Sequence, residues 1–208
     1  MIALVALAAA AKPPEVVSFA TADGGRVFAD RYGDGSGSGV VLAHGAIFDK
    51  GSWRELAERL AERGHRVLAI DFRGYGQSVA PAKDDRFEDV LAAVRYLHDA
   101  GVARVDVVGA SIGGGAAAEA AARPGPVRSR GSSCLAPPAI AHPDRLRVPT
   151  LLVSSRDEPA AARLREDFAK VPEPKRVLVL PGSAHAQHVF GTEQGAALTA
   201  AVVDFLAE

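Results

Sequence analysis

A single cysteine, Cys134, stands among the 208 residues. One thiol excludes an internal disulfide and any cysteine-rich zinc site, and no metal is called for. Neither sign of charge is in excess. The 24 Lys and Arg are set against 25 Asp and Glu, a net charge of −1, which argues against a nucleic-acid partner. No apolar run reaches the roughly 18 residues of a membrane-spanning helix, so no integral span is expected. Internal repeats are absent, as is any linker that divides the chain after residue 14. What is present is ordinary globular composition, 48% hydrophobic and 24% charged. That apolar content excludes disorder over most of the chain. A single domain of this size buries roughly 70% of the surface its unfolded chain exposes, enough for a core.

The first fourteen residues read separately. Met1 to Ala11 are all apolar, and Lys12-Pro13-Pro14 ends the run. Three readings fit: the apolar region of a secretory signal lacking its basic leader, a short alanine-rich core helix, or an expression artefact. Localisation follows the choice, cytoplasmic or, for a signal peptide, periplasmic or secreted.

From Val16 onward, short β-branched runs alternate with helical patterns. Residues 16–19 and 26–31 read as a hairpin turning at Ala22-Asp23-Gly24-Gly25. Unbroken apolar runs predict buried strands at 40–43, 66–71, 105–109, 132–135, 150–154 and 177–180. Between them, 52–63, 85–100, 112–123, 158–170 and 193–206 carry helical spacing, the first with Ser52 as N-cap. The alternation predicts a mostly parallel sheet of about eight strands, an antiparallel edge hairpin and helices on both faces.

Gly109-Ala110-Ser111-Ile112-Gly113 is a G-x-S-x-G motif directly after an apolar strand and directly before a helix. That setting is the one a nucleophile elbow needs. The turn strains the serine backbone, so its neighbours must be small, and Gly109, Gly113 and Gly114 are. Ser111 is the candidate nucleophile.

With this motif the sequence resembles the α/β-hydrolase superfamily over nearly all of the chain after residue 15. Three further stretches carry the likeness. Ala43-His44-Gly45-Ala46 follows the third strand, where that family has its HG oxyanion loop. Asp71-Phe72-Arg73-Gly74-Tyr75-Gly76-Gln77-Ser78 is similar to its D-x-R-G-x-G-x-S loop, a structural turn in which Arg73 can pair with a carboxylate. The late pair Asp157 and His185 falls in the family's order of Ser, Asp, His.

A serine hydroxyl needs an adjacent base, and the base needs an acid to orient it. The resemblance implies His185 as base, five residues past the last strand, with His188 as its rival. It implies Asp157 as acid, with Asp144 as the alternative and Asp71 and Asp167 behind. His65 and His98 read as structural. His44 and Gly45 support the oxyanion loop. The expected donors are the backbone N–H groups of Ala46, or Ile47 in its place, and Ile112. Cys134 reads as an inert buried thiol, and Trp53 as packing at its helix start.

Only residues 136–149 separate two strands where many relatives insert a helical lid, and four of them are prolines. The expected site is therefore open, without a lid domain. The compact form is similar to the dienelactone-hydrolase branch, which usually has cysteine where this chain has Ser111. The implied activity is cofactor-free serine hydrolysis of small or short-chain carboxylic esters through an acyl-enzyme. Thioesterase, amidase, acyltransferase and perhydrolase activities share the same triad, and a non-catalytic binding module shares the fold.

Overall fold

The computed structural model describes residues 13–79, 85–123 and 130–208. The expectation for the apolar start at 1–12 lies outside them.

Eight strands form one sheet. β1 (Glu15–Ala20) and β2 (Arg26–Tyr32) make the edge hairpin. β3 (Ser38–Ala43), β4 (His65–Asp71), β5 (Val105–Ala110), β6 (Ser132–Leu135), β7 (Thr150–Ser155) and β8 (Lys175–Leu180) follow. Their spatial order is β1-β2-β4-β3-β5-β6-β7-β8. β2 meets β4 antiparallel, and every pairing from β4 to β8 is parallel. Among the described residues, α1 (Arg54–Glu62), α2 (Arg86–Asp99), α3 (Ile112–Ala122) and α4 (Ala161–Lys170) connect parallel strands, and α5 (Gly195–Ala207) follows β8. Among the described residues no lid domain interrupts β6 and β7, whose connection contains only a 3-10 turn at Pro143–Arg145.

The period-two alternation of a strand explains how one unbroken apolar run serves two faces. Val40 and Leu42 join Val67, Ala69, Val108 and Ala110 in a layer with Leu56 and Leu60 of α1 and Val202 and Phe205 of α5. Val41 and Ala43 join Leu68, Ile70, Val105 and Val107 on the other side, with Val90, Val94 and Leu97 of α2 and Ala116 and Ala117 of α3. β3 is central. The chain leaves it for β4 on one side and returns to β5 on the other, which opens a crevice at the carboxyl ends of β3 and β5.

Helix starts shift from the sequence reading, and two of the shifts bear on the site. The first helical segment opens as a 3-10 turn, Lys50–Trp53, capped by Asp49, whose carboxylate accepts from the Gly51 N–H at 2.8 Å. Ser52 is therefore no N-cap; its hydroxyl donates to the Asp49 carbonyl. α4 begins at Ala161, not at residue 158, which leaves Glu158 in the turn before it. Trp53 is buried and meets the Phe190 ring edge-on, at 5.8 Å between centroids.

The Asp71–Ser78 loop is held from below. Arg73 Nε and Nη2 donate to Asp89 of α2 at 2.8–3.2 Å, and Nη1 donates to Asp23 of the hairpin turn at 2.7 Å. The Arg73 and Asp89 side chains are each only 1% exposed. Removing one partner strands the other charge in the interior, at a typical cost of about 3–5 kcal/mol. Arg73→Ala should therefore lower stability by about that amount in urea titrations, while activity per folded molecule stays near wild type.

Candidate active site

Four loops at the carboxyl edge of the sheet converge: those after β3, β5, β7 and β8. Ser111 ends the turn from β5 into α3 with φ 50° and ψ −119°. A non-glycine residue at positive φ costs on the order of 1–3 kcal/mol, so its surroundings must hold it there. They do so by close packing. A Cβ on Gly109 would stand 2.1 Å from the Gly113 carbonyl oxygen, and one on Gly113 would stand 2.2 Å from that of Ala43. The Ser111 N–H donates to Leu135 O at 2.8 Å. The hydroxyl is thereby presented above the sheet at the first turn of α3.

His185 follows β8 and closes on it. Its Nε2 lies 3.0 Å from Ser111 Oγ. Its Nδ1 lies 2.8 Å from Oε2 of Glu158, not from Asp157. The expected acid is thus corrected by one residue. Arg156 and Asp157 still follow the edge of β8, their N–H groups donating to Leu180 O at 2.8 Å and Gly182 O at 3.0 Å. Asp157 is left exposed to solvent. The next residue turns inward. Glu158 is fully buried, and its second oxygen accepts from the Ser155 N–H at 2.8 Å. That bond pins the carboxylate and leaves Oε2 for the imidazole.

The remaining candidates lie elsewhere. Asp144 is exposed in its 3-10 turn. Asp71 accepts from the Lys50 N–H, and Asp167 sits beside Arg163. His188 is exposed, its ring 5.0 Å from that of Phe48. His65 bonds Ser38 Oγ, and His98 bonds Val102 O. Cys134 is fully buried, and burial pushes its thiol up to about 11.

His44 is fully buried between Phe72 and Tyr75. Its Nδ1 faces the Gly45 carbonyl at 2.8 Å, so Nδ1 carries the proton; its Nε2 accepts the Phe72 N–H at 3.2 Å, so Nε2 is bare. The Gly45 carbonyl also accepts from the Phe48 N–H at 3.0 Å. A peptide plane whose oxygen is held twice has its N–H fixed on the opposite side. That N–H belongs to Ala46, which is exposed. Tyr75 braces the following peptide by donating to Ala46 O at 2.8 Å. Gly45 packs close to the site: its Cα faces Gln187, Phe48 and Ser111, whose nearest atoms would stand 3.4–3.5 Å from a Cβ placed there. The Ala46 and Ile112 N–H groups have no hydrogen-bond partner among the described residues.

Burial holds His44 below the ordinary histidine pKa, and burial beside Arg130, Arg63 and Arg104 does the same for His65. The sign follows. In the unfolded chain both rings take up protons near pH 6.5, and in the folded chain they resist it. Stability is therefore complete above that pH and falls as pH drops through it. The urea midpoint should be lower at pH 5.5 than at pH 7.5, and the difference should shrink in His65→Gln.

A family model described as alpha/beta hydrolase fold matches residues 40–142. A solved structure, the predicted CIB-like hydrolase of Thermoplasma acidophilum, superposes with TM-score 0.74 at 26% identity, covering 93% of this chain and 98% of that one. The chain belongs to the α/β-hydrolase fold superfamily. The Pyrococcus furiosus esterase Pf2001 shares the fold with TM-score 0.80, at 18% identity over 93% of this chain and 92% of its own. Among curated sequences, bifunctional epoxide hydrolase 2 of Sus scrofa is 39% identical over 83 residues, 38% of this chain. The matched stretch is only 15% of that protein's length, so its activity belongs to a much larger molecule. The carboxylate that meets His185 is that of Glu158, one residue past the Asp157 that the family likeness of the sequence implies. Among the described residues no cluster of three or more His, Cys, Asp or Glu could hold a metal ion, and no helix is long and apolar enough to cross a membrane.

Proposed function

We propose that the chain is a serine esterase acting on small or short-chain carboxylic esters. One observation carries this reading: Ser111 Oγ stands 3.0 Å from His185 Nε2 while the opposite ring nitrogen stands 2.8 Å from a fully buried carboxylate. In that chain Glu158 holds the proton on Nδ1, so Nε2 is the basic nitrogen and faces the hydroxyl. Ser111 Oγ attacks the ester carbonyl as His185 Nε2 takes its proton. The negative charge that develops on the carbonyl oxygen is met by the N–H groups of Ala46 and Ile112, the second at the positive end of α3. His185 then gives the proton to the departing alcohol, and the acyl group stays on Ser111. A water molecule, deprotonated by the same nitrogen, attacks the acyl-enzyme, and that proton passes to Ser111 Oγ as the bond to the acyl carbon breaks and the acid leaves. Side chains and backbone supply every step, and no cofactor takes part.

The openness of the site supports a small soluble substrate. Ala46 is exposed, Ile47 beside it is 77% exposed, and His185 keeps 47% of its side chain in solvent. The test is a panel of p-nitrophenyl esters graded by acyl length, run beside acyl thioesters, anilides and a peracid assay. The reading expects the fastest turnover on the shortest acyl esters, and labelling by a fluorophosphonate probe that vanishes in Ser111→Ala. Faster turnover of thioesters or anilides, or peracid formation ahead of hydrolysis, would reassign the acceptor or the bond. No labelling of folded protein would favour a binding module.

A further inference from the structure

Gln187 lies two residues past His185, in the 3-10 turn Ala186–Gly191, and its residue is only 6% exposed. Its side-chain oxygen accepts the Gly45 N–H at 2.7 Å. Its amide nitrogen donates to Ser52 Oγ at 2.8 Å, and that hydroxyl donates onward to Asp49 O. The orientation of the amide is not free. A backbone N–H can only donate, so the atom facing Gly45 must be the oxygen, and the nitrogen must face Ser52. One side chain from the histidine loop thus grips the loop after β3 at two points.

This grip bears on the oxyanion site. The peptide between Gly45 and Ala46 is held by its carbonyl oxygen, through His44 and Phe48. The peptide before it, between His44 and Gly45, is held through its N–H by Gln187. The two planes that flank the Gly45 Cα are therefore both fixed, and the rotation that would swing the Ala46 N–H away from Ser111 is blocked. The Gly45 N–H is itself occupied, and the next N–H along the loop is that of Ala46.

We propose that Gln187 is a positioning residue: it aims the Ala46 N–H at the reacting carbonyl oxygen and couples that loop to the one that carries His185. The inference rests on the esterase reading. It assigns Gln187 no contact with substrate. Its effect is on the geometry of charge stabilisation in the transition state.

The test compares wild type with Gln187→Leu, which keeps the size and removes both bonds, and with Ser52→Ala, a solvent-facing change that frees the amide nitrogen and the Asp49 carbonyl but keeps the bond to Gly45. Loss of a whole oxyanion donor typically costs roughly 100- to 1000-fold in kcat. A misaimed donor should cost less. Gln187→Leu should lower kcat about 10- to 100-fold on a short p-nitrophenyl ester, with KM within about twofold, and Ser52→Ala should lower kcat severalfold. Affinity for a boronic-acid transition-state analogue should fall in the same proportion. A Gln187 that merely stabilised the fold would lower Tm and leave kcat per folded molecule and analogue affinity unchanged; that result overturns the proposal. If Gln187→Leu does not fold, an unchanged kcat and analogue affinity in Ser52→Ala overturns it instead. Wild-type protein that neither turns over the ester nor takes a fluorophosphonate overturns the esterase reading and this inference together, whereas full activity in the variants overturns the inference alone.

Discussion

Replacing Ser111 by alanine should lower ester turnover by roughly 10⁵- to 10⁶-fold and leave the fold intact. The expectation follows from what the hydroxyl does in the proposed mechanism. It is the atom that bonds to carbon, and no other nucleophilic side chain stands within the contacts of His185, whose ring nitrogens are taken up by Ser111 and Glu158. The residual rate over water would come from the two N–H donors and from substrate binding. Stability should hold or rise slightly. Ser111 makes its fold-critical bonds through the backbone, with N–H donating to Leu135 O at 2.8 Å and its carbonyl accepting from Gly115 N at 3.0 Å, and alanine keeps both. Steady-state kinetics together with a urea titration of the same preparation check the two halves. His185→Ala should fall by a similar factor, and His188→Ala should stay close to wild type, since its ring faces Phe48.

The second large effect separates neighbours in the chain. Glu158→Gln should lower kcat by roughly 10⁴-fold, the typical loss when the orienting carboxylate of a Ser-His-acid triad becomes an amide. The carbonyl of the glutamine can still accept the Ser155 N–H, so the side chain stays in place. Its NH₂ then points at Nδ1, which must become an acceptor, and the ring proton moves to Nε2. A protonated Nε2 cannot take the proton of Ser111. The substitution thus tests tautomer control and not packing. Asp157→Asn should stay within about twofold of wild type, because that carboxylate is exposed and only its backbone N–H is engaged. Measuring kcat for both variants on one short ester decides between two residues that adjoin in sequence and face opposite ways.

The turn that presents Ser111 was legible in the sequence because everything that makes it special is local: an apolar strand, glycines within two residues, and a helix start. The sheet was legible for the same reason, since each strand is a short apolar run between turn residues. The acid was not. At the end of β7 the chain runs Ser155-Arg156-Asp157-Glu158, and either acidic residue can be written onto a motif. What separates them is whether residue 158 opens the helix or precedes it, and helix boundaries are uncertain by a residue or two. Pro159 was the available signal. A residue before proline is biased away from helical backbone, and Glu158 does stand outside α4. Gln187 was invisible for a different reason. Its partners Gly45 and Ser52 lie more than 130 residues away in sequence, and no local pattern brings the loops after β3 and β8 together. Only the sheet order does.

The most direct test is to trap the covalent intermediate. Wild-type protein is mixed with a short p-nitrophenyl ester, quenched in acid during the first turnovers, digested and mapped by mass spectrometry. One acyl group should appear on the peptide that contains Ser111, on the serine itself, and should be absent from Ser111→Ala treated identically. Ester turnover that proceeds at the wild-type rate in Ser111→Ala, or a stable acyl group found on another residue at the rate of turnover, would contradict a mechanism built on this serine.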